Sequence, residues 1–234
     1  MYSLSQKLLS ECIGTFSVVL VTVGSICAEQ YLRAAGFASP GLLGQAFAYG
    51  LATAVMVGAL AHVSGAHLNP AITIGFWVTR RLGTLQSIFY CIAQLLGAIA
   101  AAYILVALLP ESIWRPAALG ATDLAPDFTR IQGMLIESLA TFFLVFVFFA
   151  SHSEASGSLR KSSGFAVGLA VTMDVLFAQP FTGASVNPAR TFGPALAAHH
   201  WINHGVYWVG PLFGGIIAAV VYDRLFAEDP SPAQ

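Results

Sequence analysis

The pattern Gly-Ala-x-x-Asn-Pro-Ala occurs twice in the chain, as Gly65-Ala-His-Leu-Asn-Pro-Ala71 and as Gly183-Ala-Ser-Val-Asn-Pro-Ala189. Asn is a preferred helix N-cap, and Pro suits the first helical turn because its missing N–H would be unpaired there. Each motif therefore predicts the start of a helix. The apolar runs around these starts, about residues 68–77 and 186–195, are too short to cross a bilayer, which takes about 20 residues.

The composition indicates what class of protein carries these motifs. Of the 234 residues, 57% are hydrophobic and 9% are charged, whereas a typical soluble domain has about 25% charged residues. So few charges argue against a soluble enzyme, a disordered chain or a collagen-like chain. The net charge of -1 offers no basic surface for nucleic acid, and the three cysteines form neither a disulfide framework nor a metal-binding spacing. A polytopic membrane protein is the class that remains.

Stretches that are free or nearly free of charge predict six membrane-spanning helices. We place them at about residues 8–28, 43–62, 85–108, 131–150, 163–178 and 205–226. The expected fold is an all-α membrane protein with six transmembrane helices plus two re-entrant half-helices. Backbone that leaves a helix at membrane depth is tolerated only where it is buried in protein or lines a wet cavity. The two half-helices therefore indicate a pathway.

The distribution of basic residues predicts the orientation. The N-terminal side holds six of them, namely Lys7, Arg80, Arg81, Arg160, Lys161 and Arg224. The opposite loops hold three, namely Arg33, Arg115 and Arg130. By the positive-inside rule both termini lie in the cytoplasm, and we expect a multi-pass protein of the cell inner (plasma) membrane.

The two halves of the chain are internally related. At an offset of 118 residues, Phe47 aligns with Phe165 and Asn69 with Asn187. Each half holds three spans, an odd number, so the second half enters the membrane from the opposite side. Such inverted repeats place the functional site near the midplane. We expect one transmembrane domain over residues 1–234, with repeat one at about 1–109 and repeat two at about 128–227.

The two motifs have a physical consequence when they meet at the midplane. The residues concerned are Asn69, Pro70, Ala71, Asn187, Pro188 and Ala189. Two opposed helix N-termini each carry about half a positive charge, which disfavours cations, including hydronium. The asparagine amides can donate to the lone pair of a passing oxygen, which orients water and interrupts a proton relay.

Two longer stretches carry a family resemblance. His62-Val-Ser-Gly-Ala-His-Leu-Asn-Pro-Ala71 and Thr182-Gly-Ala-Ser-Val-Asn-Pro-Ala-Arg190 resemble the two signature loops of the aquaporin (major intrinsic protein) family. The resemblance covers the chain from Glu11 to about Phe226. It implies a homotetramer of six-helix protomers in the lipid bilayer, each of which has its own pore.

The resemblance also implies a selectivity filter of four residues. Arg190 is the filter arginine, which donates to solute oxygen and repels cations, and the motif spacing places the other positions at Tyr49, Val175 and Ala184. Water-selective bacterial members usually carry Phe, His, and Thr or Cys there. With Val175 and Ala184 the expected filter is wider and more apolar, and it resembles that of nodulin-26-like proteins and of arsenite-conducting aquaglyceroporins.

Other residues argue against a dedicated glycerol facilitator. Such proteins tend to carry Asp directly after the filter arginine and Arg four residues after that Asp, whereas this chain has Thr191 and Ala195. The pair Tyr207-Trp208 resembles the water-selective type. The substrate therefore stays open between water alone and water with small neutral solutes.

The motif loops and the first helix of each half supply the remaining expected site residues. The resemblance implies that the loop backbone lines the pore around Gly65, Ala66, His67, Gly183 and Ser185. Glu11 and Glu137 lie at matching places in the two halves. We favour a structural role for these acids, as acceptors for the irregular loop backbone, over a proton-coupling role.

Asp174 and three histidines carry weaker expectations. Neighbouring helix residues are turned by about 100°, so Asp174 faces away from the pore if Val175 faces it. We expect Asp174 to bond a neighbouring helix or to be protonated, with a role in gating or selectivity as the alternative. His199, His200 and His204 fit a solvated loop, with a pH or metal effect as the alternative.

The predicted function is a passive channel for water and small uncharged solutes, such as glycerol or arsenous acid, that excludes protons and ions. The sequence has no nucleophile–base pair, phosphate loop or metal cluster, so we expect no enzyme activity, no cofactor, no metal and no nucleic-acid partner. Three alternatives remain: a strictly water-selective channel, a proton-coupled transporter with Asp174 as coupling acid, and a structural tetramer that conducts little.

Overall fold

The computed structural model describes residues 2–152 and 163–226. Over these residues the chain forms α-helices and one short 3-10 turn, Ala118–Gly120, and no strand. The helices are α1 Leu4–Ala34, α2 Gly41–Ser64, α3 Pro70–Val78, α4 Thr84–Leu108, α5 Glu111–Trp114, α6 Arg130–His152, α7 Ser163–Thr182, α8 Pro188–Ala198 and α9 Val206–Leu225.

Six helices in the described part of the chain are long and apolar enough to cross a membrane, namely α1, α2, α4, α6, α7 and α9. The short helices α3 and α8 begin at the motif prolines. The predicted all-α fold with six spans and two half-helices is therefore confirmed. Arg160 and Lys161, which contributed to the predicted orientation, lie outside the described residues, and so does residue 227 at the end of repeat two.

Several helix ends differ by a few residues from the expected spans. α1 begins at Leu4 because Ser3 caps it: the Ser3 hydroxyl accepts from the Gln6 N–H, and the Gln6 side chain accepts from the Ser3 N–H at 2.8 Å. The half-helices begin later than expected because Leu68 and Val186 have left-handed backbone. Charge patterns mark the limits of apolar surface, whereas caps and loop geometry set the limits of the helices.

The two halves of the chain interlock. α1 packs on α2 and α4, and α6 packs on α7 and α9 in the equivalent arrangement. Each half-helix also packs on the last helix of the other half, α3 on α9 and α8 on α4. α2 and α7 pack against each other between the halves. This arrangement brings together the two motif loops, which precede α3 and α8.

Glycines set the spacing of the long helices. A Cβ at Gly97 on α4 would collide with the Cys12 carbonyl oxygen on α1, and Gly214 on α9 faces the Ser138 carbonyl on α6 in the equivalent way. Small residues allow this close approach of helix backbones within a membrane.

Enlarging Gly97 tests this spacing. Gly97→Ala drives a methyl group into the α1 backbone, and overpacking of this kind typically costs about 1–3 kcal/mol. We expect a lower midpoint of thermal unfolding in detergent. Gly24→Ala is the matched control at the same helix pair, because its added Cβ would lie 3.6 Å from the Leu105 side chain, an ordinary contact. The spacing argument is wrong if both variants unfold at the wild-type temperature.

Candidate functional site

The two motif asparagines connect the two halves at the centre of the protein. Asn69 Oδ1 accepts from the Ala71 N–H at 2.9 Å, while Asn69 Nδ2 donates to the Val186 carbonyl at 2.8 Å. Asn187 Oδ1 accepts from the Ala189 N–H at 2.9 Å, and Asn187 Nδ2 donates to the Leu68 carbonyl at 2.9 Å. Each amide nitrogen has two hydrogens, so each asparagine keeps one donor for the cavity that it borders.

The loops before these asparagines have an unusual backbone that repeats between the halves. In the first loop, Gly65, Ala66 and Leu68 have positive φ, and in the second the equivalent positions do, namely Gly183, Ala184 and Val186. Such φ values are uncommon for residues other than glycine and persist only where the surroundings enforce them. The loops therefore need strong external hydrogen bonds.

Two buried carboxylates supply these hydrogen bonds. Glu11 accepts from the His67 N–H at 3.0 Å, from the Leu68 N–H at 2.7 Å, and from the Ser64 hydroxyl and the Gln94 amide. Both residues of the pair Glu11 and Glu137 are fully buried.

Glu137 repeats this arrangement in the second half of the chain. It accepts from the Ser185 N–H at 3.0 Å, from the Val186 N–H at 2.8 Å and from the Thr182 hydroxyl at 2.6 Å. These contacts are what a structural acceptor for loop backbone requires.

Three cavities follow one another between the helices. The outer cavity, of about 330 Å³, lies where the 109–129 connection covers one end of the bundle, which we call the outer end, and Thr122 and Arg190 border it. The narrow cavity, of about 10 Å³, also borders Arg190. The central cavity, of about 20 Å³, borders Asn69 and Asn187. Arg190 borders the first two cavities and Tyr49 the last two, so the three lie in a row, which we call the path.

The four predicted filter residues meet at the narrow cavity, which Tyr49, Val175, Ala184 and Arg190 all border. Each is at most 3% exposed. The volume of about 10 Å³ is close to the space that a single water molecule requires. Val175 and Ala184 have short side chains, but the cavity is small because Ile26, Gln45 and Gln179 also border it.

Within the described residues, one hydrogen bond holds the guanidinium group of Arg190. Its Nη1 donates to the Gly120 carbonyl at 2.8 Å, and its Nε has no hydrogen-bond partner among the residues that the structure describes. A guanidinium carries five N–H donors, and Arg190 borders the outer and the narrow cavity, so its terminal N–H groups other than the one bonded to Gly120 remain for water or solute there. Beside Arg190, a hydrogen bond joins the 109–129 connection to α8. It links the hydroxyl groups of Thr122 and Thr191, which lie 3.0 Å apart.

The remaining predicted lining residues divide into two groups. His67 and Gly183 border the cavities. Ser185 instead receives a hydrogen bond on its carbonyl from the Tyr49 hydroxyl at 3.0 Å, and the Gly65 carbonyl lies 3.2 Å from His152 Nε2. Neither Gly65, Ala66 nor Ser185 borders the three cavities described above.

Asp174 lies inside the protein and away from the path. It is 2% exposed, and its Oδ2 has no hydrogen-bond partner in residues 2–152 or 163–226. None of the three cavities borders it. The expected bond from this oxygen to a neighbouring helix is therefore not seen within the described chain.

The three histidines before α9 do not act together. His200 Nε2 lies 3.2 Å from Asp123 Oδ2, whereas His204 Nε2 accepts from the Trp208 indole N–H at 3.0 Å. Partial burial lowers the pKa of His204. Within the described residues no group of three or more His, Cys, Asp or Glu side chains could hold a metal ion.

The structure adds site residues that sequence reasoning missed. Gln45 and Gln179 border both the outer and the narrow cavity, and Gly120 supplies the carbonyl for Arg190. The sequence could have indicated the two glutamines, because each lies one helical turn from a predicted filter residue and therefore on the same face of its helix. Gly120 carries none, since a backbone acceptor in a loop leaves no mark in the sequence.

Known proteins resemble this chain over most of its length. The family model described as Major intrinsic protein matches residues 1–222. Aquaporin-4 of Mus musculus is 42% identical over 181 residues, which are 77% of this chain and 55% of that relative, so the chain spans about half of its length. Aquaporin TIP4-4 of Zea mays is 43% identical over 223 residues, 94% of this chain and 86% of that protein.

A solved structure shares the fold. The X-ray structure of the aquaglyceroporin from Plasmodium falciparum superimposes with a TM-score of 0.82 at 22% identity, and the match covers 95% of this chain and 97% of that chain.

Removing one buried carboxylate tests the loop network. In Glu137→Ala, two backbone N–H groups and the Thr182 hydroxyl lose their acceptor, and each unpaired buried group costs about 1–3 kcal/mol. We expect a large fall in the thermal unfolding midpoint in detergent. The control is Glu111→Ala, because that carboxylate is exposed in a surface pair with Arg115. Equal midpoints for the two variants would contradict the role of Glu137.

Neutralising Asp174 tests whether its carboxyl group is an unpaired buried acid. Asn has the same shape without the charge, and burying an unpaired charge is unfavourable. We expect Asp174→Asn to unfold at a higher temperature, since a gain of about 1 kcal/mol raises the midpoint by about 2–4 °C at this chain length. A lower midpoint would show that the carboxyl group stabilises the fold through a partner.

Proposed function

The chain belongs to the major intrinsic protein family, and we propose that it is a passive channel that conducts water along the path between its two motif loops. The observation that carries this proposal is the narrow cavity, which has the space of about one water and lies between an arginine donor and the two motif asparagines. Water therefore passes in single file.

The proposed mechanism replaces the hydration of each water as it passes. Arg190 offers terminal guanidinium N–H groups at the narrow cavity, and each motif asparagine offers one amide hydrogen at the central cavity. The N-termini of α3 and α8 add partial positive charge there, which repels cations. A water that accepts from both asparagines has its lone pairs engaged, so it cannot relay a proton.

Small uncharged solutes are a second candidate class of substrate. Val175 and Ala184 give the narrow cavity an apolar wall, which fits the carbon skeleton of glycerol or the neutral hydroxide arsenous acid better than a polar wall would. Their passage would need the cavity to widen. A water channel that admits such solutes more slowly is consistent with both observations.

We further propose the homotetramer that the family resemblance implies. We place it in the cell inner (plasma) membrane of a bacterium, with both termini in the cytoplasm as the distribution of basic residues predicts. Large apolar side chains are exposed along the helices, including Leu51, Val55 and Leu169, and lipid or neighbouring protomers would cover them.

Stopped-flow light scattering of proteoliposomes tests both candidates. We expect fast shrinkage in an impermeant osmolyte, compared with empty liposomes, because water leaves through the path. Swelling in an iso-osmotic inward gradient of glycerol, and then of arsenous acid, measures solute entry. Shrinkage no faster than in empty liposomes would overturn the proposal of a water channel.

Two filter variants decide the width of the path. If solutes pass, Val175→His together with Ala184→Thr should slow glycerol swelling more than water shrinkage, because both changes narrow the cavity. Val175→Thr is the matched control, because it replaces a methyl group with a hydroxyl group and leaves the side-chain volume nearly unchanged. Wild-type protein that conducts water but no solute would establish the strictly selective alternative.

A further inference from the structure

Two glutamines lie directly outside the narrow cavity. Gln45 on α2 precedes Tyr49 by four residues, and Gln179 on α7 follows Val175 by four residues. Residues four apart lie on the same face of a helix, one turn apart. Both glutamines therefore continue the path-facing side of their helices toward the outer end.

The two side chains meet between α2 and α7, the two helices that pack against each other. Gln179 Nε2 donates a hydrogen bond to Gln45 Oε1. Both glutamines border the outer cavity and the narrow cavity, so the amide pair lies at the junction between them. Arg190 and Gly183 also border both cavities, which leaves a route past the pair on the α8 side.

The pair is specific to the outer end of the path. At the repeat offset of 118, Gln45 corresponds to Ser163 and Gln179 corresponds to Ala61, and neither residue can form such a bridge. The close packing of α2 on α7 also has another source, since Gly50 and Gly168 face each other's backbone. The glutamines are therefore not part of the architecture that the two halves share.

We propose that Gln45 and Gln179 form a second selectivity element, an amide bridge that excludes neutral solutes wider than water from the apolar cavity beneath it. This inference rests on the proposed function as a channel. A single water passes beside the bridge or exchanges hydrogen bonds with one amide at a time. A polyol must break the Gln–Gln bond and displace both side chains before it reaches Val175 and Ala184.

The proposal resolves the contrast between the filter residues and the cavity that they form. Val175 and Ala184 alone predict a wide opening, whereas the narrow cavity has space for about one water. The glutamines border that cavity from outside and supply the missing bulk and polarity. Selectivity is thus divided between Arg190 and a pair of residues outside the four predicted positions.

The test compares glycerol and water permeability in the same proteoliposome preparations. Gln45→Ala with Gln179→Ala should raise the ratio of glycerol to water permeability several-fold, because removal of the bridge admits glycerol more than it changes the passage of water. Gln132→Ala is the matched control, because Gln132 is an exposed glutamine at the outer end that bonds Thr129 and borders none of the three cavities. It should leave the ratio unchanged.

Two further readouts keep the test decisive. Gln45→Asn with Gln179→Asn shortens both side chains but keeps the amides, so it should raise the ratio even if the alanine variant folds poorly, and thermal unfolding reports folding directly. An unchanged or lower ratio in a folded, water-conducting double variant overturns the amide bridge alone. Wild-type protein that fails to conduct water overturns the proposed function and the bridge with it.

Discussion

Hydrogen bonds to the backbone of two loops inside a membrane are the constraint on which the rest of the structure depends. Residues 65–69 and 183–187 leave helical geometry at a depth where lipid offers no partner. Glu11 and Glu137 each accept two backbone N–H bonds from one loop. Once those bonds are made, the left-handed residues are held in place, and both motif asparagines are aimed at the same point.

The scaffold and the motif asparagines repeat between the halves, whereas Arg190 and Tyr49, which also face the path, do not. The buried acids, the motif asparagines and the left-handed positions recur at equivalent places, because both loops must meet the same backbone requirement. Along the path, Arg190 corresponds to Ile72 and Tyr49 to Val167, and both counterparts border the central cavity. Symmetry therefore builds the path, and departures from symmetry give its two ends different chemistry.

Much of the fold and part of the site could be predicted from the sequence. Six apolar spans and two Asn-Pro motifs define the architecture, because apolar length and helix caps are local properties. Membership of a family of passive channels also confirms that the chain is not an enzyme. The meeting of Tyr49, Val175, Ala184 and Arg190 followed from the family resemblance, which implies a filter of four residues, together with the motif spacing that places them.

The features that escaped prediction depend on contacts between distant segments. The partner of Arg190 is a carbonyl in the 109–129 connection, and a backbone acceptor has no sequence signature. Sequence reasoning could not foresee that Asp174 Oδ2 has no partner among the described residues, because a single carboxyl group in a helix does not reveal its neighbours. The effective width of the narrow cavity was also hidden, because side chains one turn away, Gln45 and Gln179, contribute to it.

The interlocked packing of the halves has a consequence for how the protein assembles. α3 packs on α9, which lies in the other half of the chain, and Asn69 donates to a carbonyl of the second loop. Until α9 has entered the bilayer, the first loop has its carboxylate but lacks its partner helix. Contacts between segments so far apart in sequence form late, because chain closure must precede them. The pathway therefore does not exist in a fragment that holds only one of the two halves, and it forms only once both halves are in the bilayer.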